Sequence, residues 1–592
     1  MKTLLAAINA KYIHSNPAVY LLRACADPED RPNISIAEYT INQYPEEILA
    51  DIYRRGPDLL AISCYIWNWK LVMDLLSDIG KVLPDCRIWL GGPEAAWNAE
   101  EILRKYPAVE GIFTGEGENS FRKLVRCLNR QEANRVGAKK SESLPIQKPE
   151  ISRVPGIAFR RPDPKEDGGL VRTPEEPVAD LDTLPFLYND ENLEQFRNKI
   201  IYYESSRGCP FVCGYCLSSQ EHGIRLRSLP LVEKELQFFL DHKVPQVKFL
   251  DRTFNCNRAH AMGIWTYLKE HDNGITNFHF ELEADLLTEE ELELLTSLRP
   301  GQVQVEIGVQ STNGQTLAAV GRHTSFEHLK KCVMKLLNAG NMHVHLDLIA
   351  GLPYEDYPSF QKSFNEVYAL HPNELQLGFL KVLHGTPLAR QTEQYGIHYM
   401  TDPPYEVFST DWISYDQILE LKRVEEVLEI YYNSAQFSRT IRVLETYFPD
   451  AFNMYKKLAD FYDRHHYFVQ TPARAKRYKI LLEFIEENVK APSDTETGRM
   501  DMFRQLLTYD LYLRENAKSR PGFAPKRPAA IGRRHEFIHE EDLDWKIWEI
   551  CPYGPGSPGN FIHCKTETPV RVCFHYQKRS PISGNVNISL EE

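Results

Sequence analysis

No apolar run in this chain approaches the roughly 20 residues needed to span a bilayer, so no membrane passage is expected. The opening "MKTLLAAINAKY" falls short of the roughly 7 to 15 apolar residues of a secretory signal and reads as a first buried strand, which points to the cytoplasm. Positive charge is also in deficit. Lys and Arg number 69 against 82 Asp and Glu, a net charge of −13, which excludes general nucleic-acid binding because nothing would displace the phosphate counterions. The substrate is therefore small, or a local site on a larger partner. Sequence repeats and coiled-coil heptads are missing as well. Cysteine is sparse, 12 in 592 residues, and in a reducing compartment these thiols serve as ligands or buried small hydrophobes rather than as disulfides.

The apolar share of 43% with 11% aromatics is that of an ordinary folded protein of several domains. Residues 1 to about 130 alternate short apolar runs ("TLLAAIN", "SIAEYTI", "LLAISCY", "RIWLGGP", "GIFTGEG") with amphipathic segments such as "PEEILADIYRR". This α/β rhythm predicts a doubly wound parallel sheet over residues 1–140, with ligands bound beyond the carboxyl ends of its strands. Residues 141–196, rich in Pro, Lys, Glu and Asp, predict a linker with one hairpin. Six further strand patterns ("KIIYYESS", "QVKFLD", "NFHFEL", "VQVEIGV", "HVHLDLI", "ELQLGFL") fall within 197–400. Six βα units are too few for the usual eight-stranded barrel, so an open partial (β/α)6 barrel is expected, its site at the carboxyl ends. Residues 401–592 predict a mostly helical domain with a basic, Pro-rich joint at 518–534 and a strand-like tail, "ETPVRVCFHYQKR".

The densest chemistry lies in "ESSRGCPFVCGYCLSS". Cys209, Cys213 and Cys216 are spaced C-x3-C-x2-C after a strand. Three thiolates from one loop hold three irons of a 4Fe-4S cluster and leave the fourth iron open to another ligand. A structural zinc site would need a second Cys or His pair, and none follows at suitable spacing. Gly208 and Gly214 are expected to let the backbone wrap around the cluster, and Tyr215 to shield one edge. The remaining cysteines, including Cys25, Cys64, Cys86 and Cys127 and the tail residues Cys551, Cys564 and Cys573, read as scattered core thiols. His465 and His466, among aromatics, read as packing residues.

The three-cysteine loop resembles the signature of the radical S-adenosylmethionine (radical SAM) superfamily. That resemblance implies that the amino and carboxylate groups of S-adenosylmethionine chelate the open iron, and that one electron from the cluster splits the sulfonium to give a 5'-deoxyadenosyl radical. Further residues resemble the branch containing oxygen-independent coproporphyrinogen oxidases and cobalamin-binding members. There Glu281 of "FELEAD" matches the acidic residue at the ribose, Gln310 and Arg322 of "EIGVQSTNGQTLAAVGRH" match residues around the methionyl moiety, and Asp347 of "LDLIAGLP" and Asp251 of "FLDRTFN" stand at strand tips.

In the first domain, "WLGGPEAAW" (Gly91, Gly92, Pro93) and "TGEGENSF" (Gly115, Glu116, Gly117) fail the dinucleotide fingerprint G-x-G-x-x-G, and Glu116 and Glu118 put negative charge where a pyrophosphate would sit. Both loops resemble those of cobalamin-binding domains that precede radical SAM barrels, with Ser63 and Trp67 lining the lower side. The cobalt-ligating D-x-H-x-x-G of other cobalamin proteins is missing from this domain, so the resemblance assigns no lower ligand to cobalt, and a weakly held lower face would favour methyl transfer to a radical. The combination implies a cobalamin-dependent radical SAM enzyme that methylates an unactivated carbon, drawing electrons from a reductant such as flavodoxin or ferredoxin. The alternatives are a radical SAM enzyme without cobalamin and a non-catalytic cobalamin or iron-sulfur sensor.

Overall fold

The computed structural model describes residues 1–138, 151–160, 169–220, 223–489, 496–524, 538–543, 548–550, 562–564 and 570–591. Cys551 and part of the 518–534 joint lie outside these residues. The chain divides into two compact units, one comprising Met1–Glu281, Lys381–Glu393 and Tyr399–Val407, the other Leu282–Leu380, Gln394–His398 and Phe408–Glu592.

The first unit begins with the expected sheet. Strands β1 (Thr3–Asn9), β2 (Ile34–Thr40), β3 (Leu59–Ser63), β4 (Arg87–Gly91) and β5 (Val109–Phe113) are parallel, in the order β2-β1-β3-β4-β5. The connecting segment adds β6 (Ile157–Arg160) and β7 (Leu170–Arg172) as an antiparallel hairpin on the β5 edge. Central β1 is buried along its whole length, as a strand covered on both faces must be. Alternate residues feed two cores. Leu4, Ala6 and Ile8 pack with α2 (Pro45–Arg55), α3 (Trp69–Val82) and α5 (Ala99–Lys105), while Leu5 and Ala7 pack with α1 (Pro17–Cys25) and α6 (Gly117–Ala138). Each leucine or isoleucine so buried stabilises by about 1.5–3 kcal/mol. Local sequence sets the helix ends: α2 has Pro45 at its start, Glu46 and Glu47 in its first turn, Arg54 and Arg55 in its last, and Gly56 in the left-handed region beyond it. The short α4 (Pro93–Trp97) follows β4 directly.

The second sheet is the partial barrel. Its parallel strands are β8 (Ile201–Tyr203), β11 (Gln246–Phe249), β12 (Asn277–Leu282), β13 (Val303–Gln310), β14 (His343–Ala350) and β15 (Glu374–Phe379), in consecutive order. One expectation is corrected. The run "KIIYYESS" does not lead into the cysteines as a single strand: β8 ends at Tyr203, and β9 (Ser206–Gly208) leaves the barrel to pair antiparallel with β10 (Ile224–Leu226). The break falls at Ser205, whose N–H is taken by the Asp251 carboxylate at 2.9 Å instead of a ladder carbonyl.

In the second unit, β13, β14 and β15 alternate with α9 (Glu289–Thr296), α11 (Phe326–Ala339) and α12 (Tyr357–Tyr368). A capping box of Thr288 and Glu291 starts α9. Helices Tyr415–Leu428, Ser438–Leu444, Ala451–Arg464, Arg474–Asn488 and Glu496–Arg514 follow. Buried Asp510 accepts from the Arg439 and Thr440 N–H groups and so caps the second of these helices from the last. The tail forms an antiparallel sheet of Ile538–Leu543, Val570–Arg579 and Val586–Glu591. Its Val572 and Phe574 pack on Tyr509 and Tyr512, and Cys573 is buried. Cys64 and Cys127 are buried, and His465 lies against the rings of Phe461 and Tyr467. No helix among the described residues is long and apolar enough to cross a membrane.

Candidate functional site

In the first unit the three-cysteine loop leaves β9. Gly208 has φ +97°, and a Cβ there would lie 2.2 Å from the Gly223 carbonyl oxygen. Its freedom therefore serves the close β9–β10 approach just before the loop, not the loop's inner face. None of Cys209, Cys213 and Cys216 is disulfide-bonded. Cys213 is buried, Tyr215 half-buried, and the Cys216 N–H donates to the Cys213 carbonyl at 3.0 Å. The Leu388 N–H, from a distant segment, holds the Gly214 carbonyl at 2.9 Å, and Cys209 Sγ lies 3.5 Å from Thr253 Oγ1. A loop clamped on both sides and carrying three thiols suits an iron-sulfur cluster with one open position.

Asp251, expected at a strand tip, is almost fully buried beneath this loop. Its carboxylate accepts from the Ser205 and Ser206 hydroxyls, each at 2.6 Å, and His260 Nε2 is 3.1 Å from Ser205 Oγ. Burial pushes its pKa up to about 6 against the pull of these bonds. The geometry makes it an anchor for the chain entering the cysteine loop.

A cavity of about 760 Å³ opens beyond the carboxyl ends of the first sheet. Asn9 lines it from the end of β1, His14 from the loop that follows, Trp67 from the loop after β3, Pro93 from the start of α4 and Glu116 from the loop after β5. Residues 206–208 and 217–218, which bracket the three cysteines, line the same cavity. The Trp67 ring stacks on Tyr65 at 4.3 Å and donates its Nε1–H to the Ile8 carbonyl. A second cavity, of about 190 Å³, includes Ser63, Gly91, Gly92, Gly115, Glu116 and Gly117 in its lining. The sheet thus gathers both glycine loops, yet not every glycine faces open space. A Cβ on Gly92 would meet the Cys64 carbonyl oxygen at 2.5 Å, and one on Gly117 would meet Leu22 at 2.9 Å.

The negative charge foreseen at the second loop is compensated. Glu116 binds Arg225 at 2.6 Å and Arg207 at 3.1 Å, and Arg207 also reaches Glu118 and Glu204. Burial alone would raise the Glu116 pKa, but the Arg225 and Arg207 guanidiniums and the Val178 N–H bring it below the usual carboxylate value. At the cavity wall, His14 Nδ1 is 2.7 Å from the Tyr202 hydroxyl, and burial together with Lys11 and Lys248 lowers its pKa. His14 carried no signal in the sequence; its place on the loop after β1 is the only one.

In the second unit, Gln310 ends β13 with φ +67°, and the Ser311 N–H donates to the Val309 carbonyl at 2.9 Å across it. This is the strained form of the γ-turn. A Cβ on Gly308 would meet the Gln310 amide at 2.2 Å, so only glycine lets this side chain fold back. The buried Gln310 Oε1 has no hydrogen-bond partner among the described residues, an acceptor left for an external donor. Arg322 donates to the Gly308 carbonyl at 2.6 Å and pairs with Glu283 at 2.5 Å. Burial raises the Glu283 pKa while Arg322 opposes it. Glu283, two residues beyond the half-buried Glu281, was overlooked, although the period of 2 places both on one face.

Asp347 lies 3.0 Å from His345 Nε2, and these two with Glu306 place ligand atoms within 4.8 Å of one another. The imidazole pKa, depressed by burial, is raised overall by Asp347, Glu374 and Glu306. Buried Glu355 accepts from the hydroxyls of Ser311, the residue after Gln310, at 2.6 Å and of Ser363 at 2.8 Å.

Comparison with known proteins is consistent with this geometry. Residues 3–125 match the B12 binding domain, 203–367 the radical SAM superfamily, and 393–547 a family described as protein of unknown function (DUF4080). The chain is 25% identical over 406 residues, 64% of its length and 55% of the relative's, to the cobalamin-dependent radical SAM methyltransferase TokK of Streptomyces tokunonensis. It is 25% identical over 337 residues, 52% of its length and 44% of the relative's, to the 2-(S-pantetheinyl)-carbapenam-3-carboxylate methyltransferase of Streptantibioticus cattleyicolor. The chain spans about half the length of these relatives. Among solved structures, the cobalamin-dependent S-adenosylmethionine radical enzyme OxsB with aqua-cobalamin bound superposes with a TM-score of 0.54 at 16% identity, over 87% of this chain and 76% of that one. At that identity the likeness is one of fold.

Proposed function

Starting from a chain that joins a B12-binding domain, a radical SAM domain and a C-terminal domain of unknown function, and whose cofactors are therefore a 4Fe-4S cluster, S-adenosylmethionine and cobalamin, we propose that it methylates an unactivated carbon of a small substrate. The observation that carries this reading is the shared cavity: the loops that end the first sheet and the residues bracketing the three cysteines line one space of about 760 Å³. When bound, the cofactors supply reductive cleavage of S-adenosylmethionine, hydrogen abstraction and a transferable methyl group.

The chain's own residues bind and orient. Cys209, Cys213 and Cys216 hold the cluster, and Asp251 with Thr253 fixes the loop that carries them. Gln310 offers its buried Oε1 to S-adenosylmethionine, and Glu281 keeps the ribose role that the resemblance implies. Arg322 fixes the Gln310 turn through Gly308 and pairs with Glu283. Trp67, Pro93 and the two glycine loops receive cobalamin. Pairing of Glu116, Glu118 and Glu204 with Arg207 and Arg225 weakens the field that would repel an anionic side group.

The test is anaerobic reconstitution with iron, sulfide, hydroxocobalamin, reductant and S-adenosylmethionine. Formation of 5'-deoxyadenosine, lost in Cys213→Ala, supports the radical assignment. S-adenosylhomocysteine formed in step with it supports methyl transfer, and its absence points to another cobalamin-linked radical reaction.

A further inference from the structure

The loop after β1 is clamped from both sides. The Asn9 side chain donates to the His14 carbonyl and to Glu38, each at 3.0 Å, and the Asn16 N–H donates to Glu38 at 2.9 Å. Glu38 is itself held by Tyr20 and Lys199. On the other side, Ser15 Oγ donates to the Ile200 carbonyl at 3.1 Å and the Ile200 N–H to the Ile13 carbonyl at 2.8 Å. The segment presents one imidazole, His14, the only histidine among the described residues that line the large cavity. Its Nδ1 is engaged by the Tyr202 hydroxyl, and its Nε2 makes no hydrogen bond among the described residues. A ring fixed through one nitrogen, with the other left over at a cavity wall, is how proteins prepare histidine for a metal.

We propose that His14 is an axial ligand of cobalt, its Nε2 lone pair forming the dative bond while Tyr202 sets the tautomer and orientation of the ring. The proposal rests on the cobalamin reading above and supplies the lower ligand that the missing D-x-H-x-x-G left unassigned. Ligation needs no such motif, because here the partner of Nδ1 is a phenol 188 residues away in place of a neighbouring aspartate.

The experiment is electron paramagnetic resonance of the full-length protein loaded with unlabelled cob(II)alamin, prepared with ordinary histidine and with histidine carrying the heavy nitrogen isotope. Superhyperfine splitting that changes from triplet to doublet on labelling, and that disappears in His14→Gln, is the expected result. A triplet unchanged by labelling, which is cobalamin's own base, or no nitrogen splitting at all, overturns the proposal while cobalamin binding stands. Labelling-sensitive splitting that survives in His14→Gln overturns it in favour of another histidine. Failure of the wild-type protein to retain cobalamin through gel filtration overturns the underlying reading and this one with it. The labelled wild type needs no substitution, so a folding defect in the variant cannot mimic the first result.

Discussion

Glu355 offers a test of how the Gln310 turn is held. Its carboxyl is fully buried, accepts both hydroxyl bonds on Oε1, and leaves Oε2 buried without a partner among the described residues. Burial, opposed by Ser311 and Ser363, pushes its pKa from 4.5 to about 7. Because the folded value lies above the unfolded one, the folded state binds the proton more tightly. The stability this group contributes is complete below about pH 4.5 and is lost as pH rises through about 7. At about 1.4 kcal/mol per pH unit, the shift amounts to roughly 3 kcal/mol across that window. Glu355→Gln cannot titrate and should remove this slope. Anaerobic urea unfolding followed by tryptophan emission, from pH 4.5 to 8, measures it. The wild type should lose stability relative to the variant by about 3 kcal/mol over the range. Parallel pH profiles for the two proteins would refute the reasoning.

Gly208→Ala adds a Cβ 2.2 Å from the Gly223 carbonyl at a φ that L-residues avoid. A destabilisation of about 2–5 kcal/mol is expected from strain and overpacking together, with loss of iron and sulfide after reconstitution; normal cluster content would count against the ribbon as the support of the loop. Arg322→Ala removes the ion pair to the buried Glu283 and should cost up to about 3–5 kcal/mol. It should also weaken S-adenosylmethionine binding measured by equilibrium dialysis without reductant, and unchanged affinity would separate Arg322 from the Gln310 turn. Trp67→Ala removes the ring stacked on Tyr65, worth about 0.5–1.5 kcal/mol. Cobalamin dissociation should quicken up to about tenfold by stopped-flow absorbance, and an unaltered rate would exclude contact with the corrin.

The sequence by itself determined what depends on near neighbours. The continuous apolar run in "TLLAAIN" dictated a strand buried on both faces, Pro45 and Gly56 bounded a helix, and the spacing of Cys209, Cys213 and Cys216 announced three thiols on one loop with a position to spare. These follow from periods of 2 and 3.6 and from local capping, which need no knowledge of the rest of the chain. Glu283 and His345 were legible in the same way, by their spacing from Glu281 and Asp347. Only the tertiary structure decided which groups meet across long stretches of chain. It set Gly208 against Gly223, buried Asp251 under Ser205 and Ser206, paired Arg322 with Glu283, tied Ser311 to Glu355, and brought His14 to Tyr202. Those contacts arise from strand order and from loops closed over tens to hundreds of residues, where the buried polar groups must find one another or remain unsatisfied.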